Sequence, residues 1–226
     1  MDFERLAQKY TGSRAREYNE KRTSAARWAT EQTAISELLQ CVPRGIRVLD
    51  LPVGTGRVFP FYKQLGARVT GVDISPDMLA TAEEYAAELQ FDVDLRDGDI
   101  RAIPFGDGTF DLVTCIRFLN WIDLEGVKQS LSELTRVCRD KLLIAIRHKA
   151  RYTELRPRRR DLVRFVHLVR GEPEARQRRN GIVYHTRPQI SRVFRDLGLD
   201  ILETRQTDWR RDGTDYVLYL LQRRRS

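Results

Sequence analysis

Val48-Leu49-Asp50-Leu51-Pro52-Val53-Gly54-Thr55-Gly56-Arg57 decides the fold class of this chain. An apolar run ends in an acid, passes into a turn with two glycines, and gives way to a helical pattern. That order predicts a buried strand, a tight turn and a helix N-terminus, which together aim backbone N–H groups at a bound ligand. Gly54 and Gly56 lack a Cβ, so the main chain can bend sharply and a ligand can lie against it. Asp50, at the strand end, is expected to order the turn by accepting hydrogen bonds from its N–H groups.

The next strand narrows the ligand. Gly66-Ala67-Arg68-Val69-Thr70-Gly71-Val72-Asp73-Ile74-Ser75-Pro76 is a β-branched run ending in a carboxylate. Asp73 lies close to the roughly 20-residue offset beyond the glycine turn at which an acid grips ribose hydroxyls. Ser75 reads as an N-cap with Pro76 at the first helical position, and the helix continues through Met78 and Leu79 toward Leu89. Asp97-Gly98-Asp99-Ile100 follows a short alternating stretch, Phe91 to Leu95, and suits an adenine. Asp99 can accept from the exocyclic amine while Ile100 packs on the ring. A fourth strand, Phe110-Asp111-Leu112-Val113-Thr114-Cys115-Ile116, runs into Arg117-Phe118-Leu119-Asn120-Trp121, so its carboxyl end faces the same crevice.

Four ordered blocks now stand together: Leu49 to Gly56; Gly71 to Leu79; Gly98-Asp99-Ile100 with Ile103-Pro104-Phe105; and Phe110 to Val113. In these blocks the chain resembles the class I S-adenosylmethionine (SAM)-dependent methyltransferases, in the small-molecule branch similar to the ubiquinone and menaquinone biosynthesis enzymes. The resemblance covers roughly residues 45–150. It implies an α/β, Rossmann-like fold with a seven-stranded, mostly parallel sheet, an antiparallel last strand and helices on both faces. It also implies SAM as cofactor and S-adenosyl-L-homocysteine (SAH) as product. The cofactor residues it implies are Asp50, Leu51, Pro52, Gly54, Thr55 and Gly56 in the turn, and Asp73, Ile74 and Met78 after the second strand. Asp99, Ile100, Cys115 and Ile116 complete that set. The family usually has Gly at the position of Pro52, whose carbonyl is implied to receive the SAM ammonium; Pro keeps the carbonyl and loses an N–H.

Composition sets the frame. At 226 residues the chain is long enough for one well-buried α/β domain with additions. It has no run of 18 apolar residues, and Met1-Asp2-Phe3-Glu4-Arg5 does not read as a secretory signal. Cys41, Cys115 and Cys138 read as reduced cytoplasmic thiols, with neither a disulfide nor a metal set. The net charge of +8 invites a nucleic-acid reading, discounted because the basic residues are mostly arginine. Their clustering is harder to dismiss: between Arg147 and Arg179 lie Arg151, Arg156, Arg158, Arg159, Arg160, Arg164, Arg170, Arg176 and Arg178. This insertion, residues 151–185, is expected to cap the acceptor side; its arginines read either as a solvated face or as a seat for an acidic or phosphorylated acceptor. Leu162, Val163, Phe165, Val166 and Val169 recur at helical spacing within it, with His167 as a structural histidine.

The flanks follow the same plan. Trp28, Ala34, Ile35, Leu38 and Leu39 fit one helix face, and the resemblance implies that residues 1–43 form an N-terminal helical lid over the cofactor, with Tyr18 as its contact. Thr186-Arg187-Pro188 begins a helix stopped by Gly198. Two strands around Ile201–Thr204 and Asp215–Leu221, joined by a turn near Asp212-Gly213, close the sheet. On the acceptor side, Arg117, Asn120, Trp121 and Tyr184 are expected to contact the substrate. His148, just past the fifth strand Lys141–Ile146, and His185 are the candidate general bases. A small-molecule methyltransferase is the leading reading. A nucleic-acid methyltransferase would use the Arg-rich segment, but the Pro-Pro-aromatic and Pro-Cys elements of the adenine- and cytosine-directed enzymes are missing after the fourth strand. A nicotinamide-dependent oxidoreductase or binding protein is disfavoured by Phe59, where the dinucleotide fingerprint needs a small residue.

Overall fold

The computed structural model describes residues 26–149, 178–179, 181–209 and 214–224. Tyr18, most of the Arg-rich insertion with His167 and its expected helix, and the turn near Gly213 lie outside the described residues.

Five parallel strands, β1 (Arg47–Asp50), β2 (Arg68–Asp73), β3 (Val93–Asp97), β4 (Phe110–Cys115) and β5 (Cys138–Lys149), form the body of one sheet. Two further strands of that sheet, β8 (Leu199–Trp209) and β9 (Thr214–Arg223), follow a short β6–β7 ladder (Arg178–Arg179, Ile182–Val183). The order is β3-β2-β1-β4-β5-β9-β8, with β9 antiparallel to both neighbours. The chain thus winds outward from β1 to β3 and then returns to place β4 on the other side of β1. That reversal opens a crevice at the carboxyl ends of β1 and β4, where open α/β sheets bind ligands.

The central strands read as nearly continuous apolar runs because both faces are covered. On one face α1 (Ala26–Leu39), α2 (Phe59–Leu65) and α3 (Pro76–Glu88) bury Ile35, Leu38, Phe59, Tyr62 and Ala82 against Val48, Leu112 and Leu218. On the other, α4 (Leu124–Val137) and α5 (Arg187–Asp196) bury Leu131, Leu134 and Phe194 against Leu49, Val113 and Ile144. Leu112 is fully buried, and truncating such a side chain to alanine costs about 2–5 kcal/mol.

The helix starts follow local chemistry. Ser75 caps α3, its Oγ accepting from the Met78 N–H at 3.4 Å, with Pro76 at the first position. Thr186 caps α5 in a reciprocal pairing with Gln189, and Gly198 follows the helix at φ 67°.

The strands at this edge extend past their apolar runs. β5 runs to Lys149, so His148 lies inside the strand, opposite Asp215, and not past it. The cause is β9, whose antiparallel ladder extends the pairing beyond the reach of the parallel neighbours. Likewise β8 and β9 are longer than their apolar stretches, because strand pairing continues through the polar residues Arg205 to Asp208.

Candidate cofactor and acceptor site

Asp50 and Thr114 sit side by side across the β1–β4 switch point. Thr114 Oγ1 donates to Asp50 Oδ1 at 2.8 Å, and the Tyr62 hydroxyl supports Thr114 at 2.7 Å. This pairing corrects the expectation that Asp50 orders the glycine turn: the strand register points its carboxylate sideways to β4. Asp73 orders the turn instead. Its Oδ2 accepts the Gly54 N–H at 2.9 Å and its Oδ1 accepts the Ser75 N–H at 3.0 Å. A β-like bond from the Val53 N–H to the Val72 carbonyl, 2.8 Å, ties the turn to β2.

The two glycines do different work. Gly54 has φ 56°, and a Cβ there would meet nothing within 4 Å, so the backbone faces open space. Gly56 has φ 73°, and a Cβ would lie 2.3 Å from the Phe59 ring. The first leaves room for a ligand; the second lets α2 pack. The Leu51-Pro52 peptide is cis, and Pro52 is half-buried.

Burial dominates the electrostatics. The Asp50 carboxyl is pushed up to about 7, a rise that the Thr114 and Tyr62 hydroxyls and Arg57 only partly oppose. Asp73 is raised by burial too, against the pull of the backbone N–H groups it accepts. Asp50 Oδ2 is buried without a hydrogen-bond partner. An orphaned buried acceptor beside an open turn suits a cationic donor, and the SAM ammonium is one. The residues present therefore fit the cofactor. Leu51, Thr55, Cys115 and Ile116 are buried around this end of β1 and β4, Met78 is buried at the start of α3, and Ile74 is exposed at the rim. Ile100 is buried, while Asp99 is half-buried and paired with Arg101, a bidentate contact whose Nε donates to Oδ2 at 2.9 Å. A pair this exposed is worth at most about 1 kcal/mol and leaves Asp99 able to exchange partners.

On the acceptor side, two expectations change. Asn120 is buried and its amide is spent on backbone. Oδ1 accepts the Arg147 N–H at 2.6 Å, and Nδ2 donates to the carbonyls of Arg147 and Val183 at 2.9 and 2.8 Å. It clamps β5 to β7 and does not point to substrate. The histidines are clamped as well. The His148 Nδ1 faces the His185 carbonyl at 3.0 Å, so it carries the proton, and Nε2 accepts from the Tyr219 hydroxyl at 2.7 Å. His185 Nε2 donates to the Leu119 carbonyl at 3.1 Å. Both rings are buried, and burial lowers both, His148 to about 4. His148 has no ring nitrogen left to take a proton from an acceptor, which removes it as the base. His185 spends its Nε2–H on backbone, and burial disfavours its charged form. The two hold residue 185 beside residue 148 and thereby close the stem of the Arg-rich insertion. Trp121 and Tyr184 remain half-buried on this side, with the Trp121 Nε1–H on the Arg117 carbonyl at 3.1 Å.

Two further residues belong to this site. Glu31 of α1 is ion-paired to Arg57 at 3.0 Å and to Arg117. Tyr216 of β9 lies under the guanidiniums of Arg117 and Arg147, at 5.2 and 5.3 Å. A sequence signal existed for Glu31: it falls on the buried stripe of α1, three and four residues before Ala34 and Ile35. A separate groove of about 700 Å³, lined by Arg47, Lys63, Arg68 and Phe105, opens at the amino ends of β1 and β2, away from this site.

Comparison with known proteins agrees with this geometry. A family profile described as a methyltransferase domain matches residues 48–141. The demethylmenaquinone methyltransferase of Thermus thermophilus is 39% identical over 114 residues, 49% of this chain and 49% of that protein. The chain therefore spans about half of that relative. The phosphatidylethanolamine N-methyltransferase of Cereibacter sphaeroides is 33% identical over 164 residues, 71% of this chain and 73% of that protein. In fold, the magnesium protoporphyrin IX methyltransferase from Synechocystis with bound SAH superposes with a TM-score of 0.64 at 19% identity, covering 87% of this chain and 85% of that one. Strand order, glycine turn and sequence coverage lead to one statement: the chain belongs to the class I SAM-dependent methyltransferases.

Proposed function

We propose that the protein transfers a methyl group from SAM to an O, N or C nucleophile of a small-molecule acceptor that carries an anionic group. The observation that carries this is the meeting, at one crevice, of a glycine turn with open space over Gly54 and the Arg117 guanidinium just past β4, with Arg147 buried near the end of β5 on the same Tyr216 ring. SAM, when bound, supplies a sulfonium methyl open to in-line attack. The protein's part is to align and to exclude water. Asp73 holds the ribose diol while keeping the turn ordered. Asp99 and Ile100 receive the adenine. The Pro52 carbonyl and Asp50 Oδ2 receive the ammonium. Arg117, Trp121 and Tyr184 line the acceptor side. Proximity of this kind lowers a barrier by about 7–11 kcal/mol. Relatives named for acting on demethylmenaquinone and on phosphatidylethanolamine support a small or lipid-sized acceptor.

The test is methyl transfer itself. The full chain, incubated with methyl-tritiated SAM and a panel of carboxylated and phosphorylated small molecules beside total RNA, is expected to label the small-molecule fraction. Label found only in RNA would replace this reading with the nucleic-acid one.

A further inference from the structure

We propose that the groove at the amino ends of β1 and β2 is a second ligand site, one that takes an oxyanion carried on an aromatic body. It is separate from the cofactor crevice. β1 is four residues long, and at about 3.3 Å per residue its first residue, Arg47, stands roughly 10 Å from Asp50 at the crevice end. The groove encloses about 700 Å³, a volume within the range of small-molecule sites.

Its charges call for an anion. Arg47 and Arg68 are register partners on adjacent parallel strands, so their side chains leave the same face of the sheet side by side. Like charges on neighbouring strands repel. Arg47 is answered by Asp111, whose Oδ2 accepts the Arg47 N–H at 2.9 Å and lies 3.6 Å from its Nε. That carboxylate is shared with Arg139. Arg68 is exposed, and no group among the described residues pairs with its guanidinium. Lys63, from α2, donates from Nζ to the Leu89 carbonyl at 2.5 Å, a neutral partner that leaves its charge uncompensated. Of the two acids in the groove, Asp94 is spent on Arg96, whose Nη2 lies 2.8 Å from its Oδ2. Asp92, at the same rim, is exposed and ion-paired to none of the three cations.

The walls select what carries the anion. Phe105 packs on the core of one sheet face and Phe91 on the core of the other, so the groove wraps the strand starts with a half-buried aromatic on each side. Phe105 is fixed edge to face against Phe110, with ring centroids 5.0 Å apart. Gly66 lies in the lining between Lys63 and Arg68, and a Cβ there would meet nothing within 4 Å, which keeps the mouth open. A hydrated inorganic ion leaves these rings uncovered, whereas an aryl phosphate or aryl carboxylate covers them and brings its charge to Arg68, whose planar donor fork suits either head.

The experiment titrates the full chain by calorimetry with inorganic phosphate, phenyl phosphate and benzoate at fixed ionic strength, with SAH present throughout. Phenyl phosphate or benzoate is expected to bind at least about tenfold more tightly than inorganic phosphate, and the stronger of the two identifies the head group. Arg68→Gln is expected to weaken that binding about fivefold or more, with SAH affinity and thermal melt unchanged, because the side chain is exposed and unpaired. Phe105→Leu is expected to weaken the aryl anion toward the level of inorganic phosphate. Aryl anions that bind no more tightly than phosphate would overturn the proposal. Aryl binding that survives intact in Arg68→Gln would overturn it too, by placing the ligand elsewhere on the protein. So would a loss of SAH affinity in Arg68→Gln equal to the loss of aryl binding, since the two sites would then not be separate.

Discussion

Replacing Asp73 by alanine separates the two duties that its carboxylate performs. In the folded protein it accepts the Gly54 and Ser75 N–H groups at 2.9 and 3.0 Å, and on the proposed reading it also grips the ribose. A hydrogen bond to a charged group contributes about 1.5–3 kcal/mol, so losing the ribose contact weakens SAH binding by about one to two orders of magnitude. Losing the turn contacts destabilises the fold, but less than their sum. Burial already penalises the carboxylate, as its raised pKa shows, and alanine relieves that penalty. A net loss of about 1–2 kcal/mol lowers Tm by roughly 2–8 °C in a chain of this size. Asp73→Asn keeps one acceptor and should fall between wild type and alanine in both respects. Calorimetry with SAH and a thermal melt on the same samples read the two effects separately. An Asp73→Ala protein that melts cooperatively and binds SAH within about threefold of wild type would refute the ribose assignment.

Other consequences follow from the buried titrating groups and clamps. Burial pushes the Asp50 carboxyl up to about 7 from its ordinary value of 3.8. Between about pH 4 and 7 the native state thus holds a proton that the unfolded chain has released, and this group's contribution to stability falls as pH rises. Asp50→Asn should therefore look more stable relative to wild type at pH 8 than at pH 5 in urea unfolding; the same difference at both values would contradict the burial argument. His148 runs the other way. With its pKa lowered from 6.5 to about 4, it contributes stability above pH 6.5 that is lost as pH falls through 4. His148→Phe strands the Tyr219 hydroxyl and the His185 carbonyl and should cost about 2–4 kcal/mol, with SAH affinity retained. If it left stability intact and abolished turnover, His148 would be a base after all. Asn120→Ala removes three backbone contacts and should speed amide hydrogen exchange at Ile182–Val183 and at the end of β5, read by mass spectrometry.

The motif-bearing half of the fold was legible because its signals are local. A strand ending in an acid, glycines in a turn, and Ser75-Pro76 at a helix start each act within a few residues. The same locality explains the errors. Asp50 was assigned to its own turn, yet its partner Thr114 comes from a strand 64 positions away, brought beside it by the β1–β4 register. Asn120 and His148 carry polar side chains at the expected place for acceptor contacts. Only the antiparallel return of β9 and the approach of residues 183–185 show that those side chains are already consumed. Glu31 and Tyr216 come from opposite ends of the chain, and no spacing rule connects either of them to Arg117.

The most direct test of the account is titration calorimetry of the full chain with SAH, run beside NAD. The account predicts micromolar binding of SAH and none of NAD, because it assigns the turn to an adenosine bearing an amino-acid tail and Phe59 occupies the place a dinucleotide would need small. Binding of NAD in preference to SAH would contradict it.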